Sequence, residues 1–203
     1  MLKMASLEME QVCERFAAPF PSPAGGSAAA AVAAIAASLV VMVGRGSPEW
    51  AQGSEAAASA SALRDRLLIL AGEDVEAVAA ALAALRLLAQ PDANDEPVVV
   101  GALLHASKVP LEIGECAADV AALARSGAVN GQRPMRVDAG AATTLAVAAA
   151  QVAASIVNAN VASFPAGQAR EERATLLEAA KLLSERVTIR PPELTGSDQA
   201  GAG

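Results

Sequence analysis

The chain has very few aromatic residues. Its 203 residues include three Phe, one Trp and no Tyr, although 54% of the chain is hydrophobic. The core must therefore be built from Ala, Leu and Val, whose small side chains let neighbouring helices approach closely. Ala and Leu are strong helix formers, and the aromatic residues that favour strands are scarce. The composition predicts an all-α fold, and the length suits one domain with a substantial core.

Cysteine, histidine and positive charge are also scarce. Cys13 and Cys116 are too few for a disulfide framework and lack the spacing of metal ligands, and His105 is the only histidine. We interpret both thiols as reduced core residues and His105 as a surface or hydrogen-bonded core residue, so we expect neither a metal nor a cofactor. The net charge of −7 and the pI near 4.8 argue against a nucleic-acid partner or an anionic membrane surface.

The chain shows no sign of a targeting or membrane-spanning segment. The N-terminus lacks a basic stretch leading into an apolar one. The apolar run 28–43 is shorter than the roughly 20 residues that a bilayer-spanning helix needs. We therefore expect no membrane contact and a cytoplasmic location.

Glycine and proline divide the chain into about six predicted helices. We predict a bend or break at Gly72 and a kink at Pro110, and we expect the helix over 138–162 to be central. Residues 1–189 form one helical domain in this prediction, and residues 190–203 a flexible tail. The six predicted helices cover about 5–17, 27–43, 54–89, 97–127, 138–162 and 168–187.

The segment Pro21–Ser27 leads directly into the Ala-rich run. Gly25 and Gly26 allow close approach of another group, and Ser27 is suited to cap the helix that follows. The free N–H groups of such a helix start favour an oxygen or a developing negative charge. A plain turn and cap is the alternative interpretation.

Asp74 is the acid that most needs an explanation. At 100° per residue it lies on the same helix face as Leu67, Leu70 and Val78, whereas Glu76 points to the opposite side. Burial of an unpaired carboxylate costs several kcal/mol or raises its pKa. Asp74 is therefore paired, caps a helix restarted after Gly72, or takes part in chemistry.

Four motifs in order resemble the cyclodeaminase/cyclohydrolase family, which includes methenyltetrahydrofolate cyclohydrolases and the cyclodeaminase domain of formimidoyltransferase-cyclodeaminase. The resemblance covers nearly the whole chain, to about residue 187. The motifs are the loop at Pro21–Ser27, the acidic helix segment Glu73–Val78, the kink Val109–Leu111 and the helix start Asp138–Gly140.

The resemblance implies an all-helical homodimer that acts on folate-bound one-carbon units. The expected reaction is hydrolysis of the methenyl bridge of 5,10-methenyltetrahydrofolate or loss of ammonia from formiminotetrahydrofolate, with Asp74 as general acid and base. No cofactor other than the folate substrate is expected. The residues expected to bind the substrate are Gly25, Gly26, Ser27, Lys108, Asn130, Asp138 and Asn160.

Three positions depart from the family pattern. Ala24 stands where the first of three glycines is usual, Val78 replaces a Phe, and Ile156 replaces one of two Asn, a loss that Asn158 could partly offset. These departures keep two alternatives open. One is a family member that hydrolyses, dehydrates or cyclises a non-folate metabolite, and the other is a non-catalytic helical binding or assembly protein.

Other polar residues have a plain interpretation beside the functional one. Lys108 is placed to pair with Glu112 one turn later. Asp138 is suited to be an N-cap. It lies 22 residues, or about 33 Å along one helix, from Asn160, so the two cannot share a small site within one protomer. A second subunit would be needed to bring the two into one site. Arg133 and Arg136 are loop charges or partners for a substrate carboxylate, and Trp50 stacks on a ring or covers a helix end.

Overall fold

The fold is a bundle of long helices. The computed structural model describes residues 8–19, 23–88, 96–165 and 167–188, and these ranges contain six α-helices and no strand. The all-α prediction is therefore confirmed. A single 3-10 turn, Arg133–Met135, joins the fourth helix to the fifth. The helices are α1 (Met9–Ala17), α2 (Gly25–Gly46), α3 (Gly53–Leu88), α4 (Glu96–Asn130), α5 (Arg136–Ala162) and α6 (Arg170–Val187).

Helix α2 lies inside the bundle, packed against α3, α4 and α5. Many of its alanines, among them Ala30, Ala33 and Ala37, are fully buried, which lets three neighbours approach one axis. At its C-terminal end a Cβ on Gly44 would lie 2.4 Å from the Gly53 carbonyl oxygen, so the two backbones touch. Helix α5 packs against α2, α4 and α6, in keeping with its predicted central place. Helix α1 contributes no buried residue.

The unequal lengths of the helices leave a space in front of α2. Helix α2 has 22 residues, whereas α3 has 36 and α4 has 35. Its first turn contacts Asp74, so the last 14 residues of α3 extend beyond the start of α2. The side chains of α3, α4 and α5 surround this space, and α2 begins too late to fill it. This geometry positions the candidate site.

Two of the predicted breaks are absent because packing outweighs local propensity. Helix α3 runs unbroken through Gly72, although a helical glycine costs about 1 kcal/mol relative to Ala. Buried Leu67, Leu70 and Ala77 on either side hold it in one piece. Helix α4 likewise continues past Gly127 to Asn130. The prediction that Gly127 ends the helix was wrong.

The predicted helix starts at Ser27 and Asp138 were also displaced. Helix α2 begins at Gly25 with Ala24 as its N-cap, so Ser27 lies inside the first turn and does not cap it. Helix α5 begins at Arg136, which places Asp138 in the first turn, where a negative charge is favourable, and not at the cap.

Among the residues that the structure describes, two helices are long and apolar enough to cross a membrane by length and composition alone, namely α2 and the segment Arg133–Ala162. Helix α2 is longer than the apolar run 28–43, because residues 25–27 and 44–46 are also helical. In α2, 61% of the most apolar window is buried against the rest of the bundle.

Several smaller expectations have mixed outcomes. Cys13 is exposed and Cys116 is half-buried, so neither thiol lies fully in the core, where both had been expected. Trp50 is 4% exposed and packs with Val43, Ala56 and Ala139, and it therefore covers a helix end. The predictions that concern residues 5–7, 20–22, 89–91 and 190–203 lie outside the described residues.

Candidate active site

A small apolar cavity lies in front of the N-terminus of α2. Its volume is about 290 Å³, near the lower limit of roughly 300 Å³ for ligand pockets. Asp74 is its only acid among the described residues, and no basic side chain lines it there. The lining comprises Ala24, Gly25, Gly26, Asp74, Val78, Ala81, Leu82, Leu85, Leu103, Ala106, Ile156, Asn160 and Ser163.

Asp74 links α3 to the start of α2. Its side chain is 2% exposed, as the helical pattern predicted, while Glu76 on the opposite face is exposed. The Ser27 hydroxyl donates to Asp74 Oδ2 at 2.7 Å, and the Ser27 backbone N–H also bonds the carboxyl group. Asp74 therefore caps α2 from a different helix, which explains why Ser27 is free to sit inside the first turn.

Burial raises the pKa of the Asp74 carboxyl group above its usual value. The hydroxyl and backbone N–H of Ser27 lower that pKa and offset only part of the effect of burial. No positively charged side chain in the described ranges pairs with Asp74. An acid in this setting is suited to take up and return a proton.

Gly26 makes the contact with Asp74 sterically possible. A Cβ on Gly26 would lie 2.2 Å from Asp74 Oδ1 and 2.7 Å from Oδ2. Both carboxyl oxygens therefore rest against the backbone of α2, and only glycine allows this approach. The close approach expected at the glycine pair is confirmed for Gly26, and the group that approaches is an acid of this chain.

Ser27→Ala is expected to raise the pKa of Asp74 further, because a hydrogen bond that favours the carboxylate is removed while the burial remains. The pKa is measured by NMR titration of the ¹³C-labelled Asp74 carboxyl group. Ser38→Ala in the same helix is the matched control, because the Ser38 hydroxyl donates to the Ala34 carbonyl. An unchanged or lower pKa in Ser27→Ala would contradict this account.

The other predicted site residues fall into two groups. Gly25, Gly26 and Asn160 line the cavity with Asp74, and buried Ser27 bonds to Asp74 at its edge. The remaining three lie elsewhere in the chain: Lys108 is exposed on α4, and Asn130 and Asp138 flank the α4–α5 connection.

The α4–α5 connection lies at the far end of the bundle. There the Gln132 N–H donates to the Ser47 hydroxyl, next to the C-terminus of α2. Because α2 has 22 residues, its two ends are about 33 Å apart. Asn130 and Asp138 therefore cannot reach the Asp74 cavity of their own protomer.

The predicted pair of Lys108 with Glu112 does not form. Glu112 binds the guanidinium of Arg66 on α3, with Nε and Oε1 2.6 Å apart, and this hydrogen bond lowers the pKa of Glu112. Arg66 also pairs with Glu73. A bidentate guanidinium from a neighbouring helix is a stronger partner than an ammonium one turn away.

Sequence reasoning missed the walls contributed by Leu82, Leu85 and Leu103, and also Ser163 at the end of α5. In the sequence these leucines are ordinary members of an apolar stripe. The three positions that depart from the family pattern, Ala24, Val78 and Ile156, all line this cavity. Asn158 is exposed and does not line it, so it does not replace the missing amide.

A second, more open groove of about 560 Å³ lies between the first turns of α4 and the start of α6. Its described lining is a mixture of apolar and exposed charged residues. Within the described residues no group of His, Cys, Asp and Glu is arranged to hold a metal ion.

The described residues form an Ala-rich helical bundle with a small apolar cavity beside the buried carboxyl group of Asp74. This arrangement is that of a helical protein with a pocket for a small molecule. Comparison with known proteins shows which family the chain belongs to. The sequence profile of the formiminotransferase-cyclodeaminase family matches residues 8–179, and the chain belongs to this family. A search of the curated proteins finds no match.

Among solved structures, the chain is similar to the crystal structure of formiminotetrahydrofolate cyclodeaminase from Thermotoga maritima. The two are 23% identical, the match covers 90% of this chain and 94% of the other, and the TM-score is 0.75. This likeness establishes the fold over nearly the whole length of both chains.

Proposed function

We propose that this protein is an enzyme that acts on a carbon–nitrogen bond of a folate, with Asp74 as the general acid and base. The reaction is hydrolysis of the methenyl bridge of 5,10-methenyltetrahydrofolate or deamination of formiminotetrahydrofolate. The observation that carries the proposal is a buried carboxyl group of raised pKa at the edge of an apolar cavity of about 290 Å³. Membership of the family supports it.

In the hydrolysis, Asp74 takes a proton from a water molecule as its oxygen bonds to the methenyl carbon. The resulting tetrahedral carbon carries a hydroxyl group and two nitrogens, and Asp74 returns the proton to one nitrogen as that C–N bond breaks. The hydroxyl group releases its own proton to solvent as the formyl C=O bond forms. In the deamination, the folate nitrogen outside the pterin ring attacks the formimino carbon and loses its proton to Asp74. Asp74 then passes this proton to the amino group, which leaves as ammonia as its C–N bond breaks. Both routes need one carboxyl group that exchanges protons in both directions.

The electrostatics of the cavity suit a cationic substrate. The methenyl and protonated formimino groups are amidinium cations, and the ionised carboxylate of Asp74 stabilises positive charge in an apolar surrounding. Gly25 and Gly26 offer the positive end of the α2 dipole to an oxygen that gains charge. The glutamate portion of a folate exceeds the cavity and would extend beyond its mouth.

The proposal is tested by incubating the purified protein with 5,10-methenyltetrahydrofolate and following the loss of its absorbance. A parallel reaction with formiminotetrahydrofolate measures ammonia release and separates the two chemistries. Acceleration over buffer in either reaction supports the proposal. Absence of acceleration in both would overturn it.

A non-folate substrate is the second candidate, and one observation favours it. Ala24, Val78 and Ile156 all line the cavity beside Asp74, so the departures from the family pattern change the surface that meets the substrate. In this case Asp74 would keep its role as acid and base in a hydrolysis, dehydration or cyclisation. A survey of cyclic amidines and lactams for turnover that depends on Asp74 distinguishes it from the first.

We also propose that the protein acts in the cytoplasm as a homodimer. Ile35 and Met42 lie on one face of α2 and are 45% and 41% exposed, and Val152 on α5 is 44% exposed. Burial of such residues against a second copy is a common source of dimer stability. A dimer would also offer a route by which the Asp138 end of one copy approaches the Asp74 cavity of the other. Light scattering of the purified protein measures the mass.

A further inference from the structure

Pro110 lies in the middle of α4 without ending the helix. Proline has no N–H, so the carbonyl of Ala106, four residues earlier, receives no helical hydrogen bond. The side chain of Asn160 replaces that donor from α5, with Nδ2 2.7 Å from the Ala106 oxygen. The two helices are thus joined at the one carbonyl that proline leaves without its helical partner.

This hydrogen bond also fixes which way the Asn160 amide points. Turning the amide over would place its oxygen against the Ala106 oxygen, where neither atom has a proton to donate. The NH₂ group must therefore face Ala106, and Oδ1 is the polar atom left over. None of the described residues donates to that oxygen.

Asn160 lines the same cavity as Asp74 and is half-buried. Asp74 lies on the α3 wall and Asn160 on the α5 wall, and the described lining contains no basic side chain. Asp74, when it is ionised, and Asn160 Oδ1 are therefore both hydrogen-bond acceptors, while the Ser163 hydroxyl donates to the Ala159 carbonyl. A ligand that satisfies both must carry hydrogen-bond donors, and the N–H groups of a nitrogen heterocycle or amidine supply them.

We propose that Pro110 is a positioning residue for Asn160, and that Asn160 Oδ1 accepts a hydrogen bond from an N–H group of the bound heterocycle. Pro110 acts at a distance, since it does not line the cavity. Asn160 contributes to binding and orientation, while Asp74 carries the proton transfer. The identity of the heterocycle as a folate rests on the proposed function.

The test uses Pro110→Ala, Asn160→Ala and the double variant, assayed with 5,10-methenyltetrahydrofolate. Alanine at position 110 restores an N–H that competes with Asn160 for the Ala106 carbonyl. Both single variants are expected to raise KM about tenfold, as for the loss of one hydrogen bond, with a smaller change in kcat. The double variant is expected to be no worse than either single variant.

A purely structural role for Pro110 predicts a different pattern. If Pro110 had only a structural role, Pro110→Ala would lower the urea midpoint of unfolding and leave KM unchanged. The proposal predicts that Pro110→Ala keeps or raises the midpoint, because the helix regains a hydrogen bond, while KM rises. Asn158→Ala, at an exposed position on the same helix, is the matched control and should leave KM unchanged. Wild-type KM in either Pro110→Ala or Asn160→Ala would overturn the proposal.

The dependence of the Asn160–Ala106 hydrogen bond on Pro110 can be tested even if the wild-type protein does not convert the folate. In that case the proposed function fails, and this test still decides the structural part of the inference. Asn160→Ala is expected to lower the urea midpoint in the wild-type background, because the Ala106 carbonyl loses its partner. It is expected to leave the midpoint nearly unchanged in the Pro110→Ala background. An equal shift of the midpoint in both backgrounds would show that the Asn160–Ala106 hydrogen bond does not depend on Pro110, and would overturn the inference.

Discussion

Asp74→Asn is expected to lower kcat by about 10²- to 10⁴-fold while the protein stays folded. Asparagine keeps an oxygen that accepts the Ser27 hydroxyl proton, so the link between α3 and α2 survives. What is lost is a group that can bind and release a proton. The measurement is the steady-state rate with the methenyl or formimino substrate.

The same variant has an expected effect on stability that depends on pH. The folded-state pKa of Asp74 is raised above its unfolded value, so the native state binds the proton more tightly. The contribution of Asp74 to stability is therefore full below the unfolded pKa and is lost as the pH rises through the folded pKa. Asn carries no charge to desolvate, so Asp74→Asn should gain stability relative to wild type as pH increases.

The matched control for Asp74→Asn is Glu76→Gln, which removes one negative charge two residues away on the exposed face of α3. It is expected to leave both kcat and the pH dependence of urea unfolding close to wild type. Full activity in Asp74→Asn would show that another group transfers the proton. A stability difference that does not change with pH would contradict the account of Asp74 burial.

The features that follow from local periodicity were predictable. Ala and Leu content gave the helices, and the 100° repeat placed Asp74 on a buried face and Glu76 on an exposed one. Both outcomes depend on residues within a few turns of each other. The separation of Asp138 from Asn160 follows in the same way, because both lie on one unbroken helix.

The features that depend on distant partners were not predictable. Ser27 looked like the cap of its own helix, but the N-cap residue is Ala24, and the side chain that bonds to the first turn is that of Asp74, 47 residues beyond Ser27 in the chain. Glu112 looked like a partner of Lys108 one turn away, but it binds Arg66 on another helix. The cavity exists because α2 is shorter than α3 and α4, and no residue pattern within a single helix carries that information.

Gly26→Ala is expected to lower kcat about 100-fold although no catalytic group is removed. The new Cβ would lie 2.2 Å from Asp74 Oδ1, and an ordinary contact needs more than 3 Å, so the carboxyl group must move by about 1 Å. A misplacement of this size can reduce a rate about 100-fold. Alanine is also a better helix former than glycine, so the start of α2 itself should not suffer. The measurement is kcat together with the ¹³C titration of Asp74.

Gly72→Ala separates steric displacement of Asp74 from a general effect of alanine in these helices. A Cβ at Gly72 meets nothing within 4 Å, although the residue is only two positions from Asp74 in α3. We expect wild-type kcat and a gain of about 0.5–1 kcal/mol in the free energy of unfolding from the better helix former. Wild-type kcat in Gly26→Ala as well would mean that α2 moves in place of Asp74, and that the contact does not set the position of the acid. Loss of activity only in Gly26→Ala would assign the glycine at the start of α2 to the placement of the Asp74 carboxyl group.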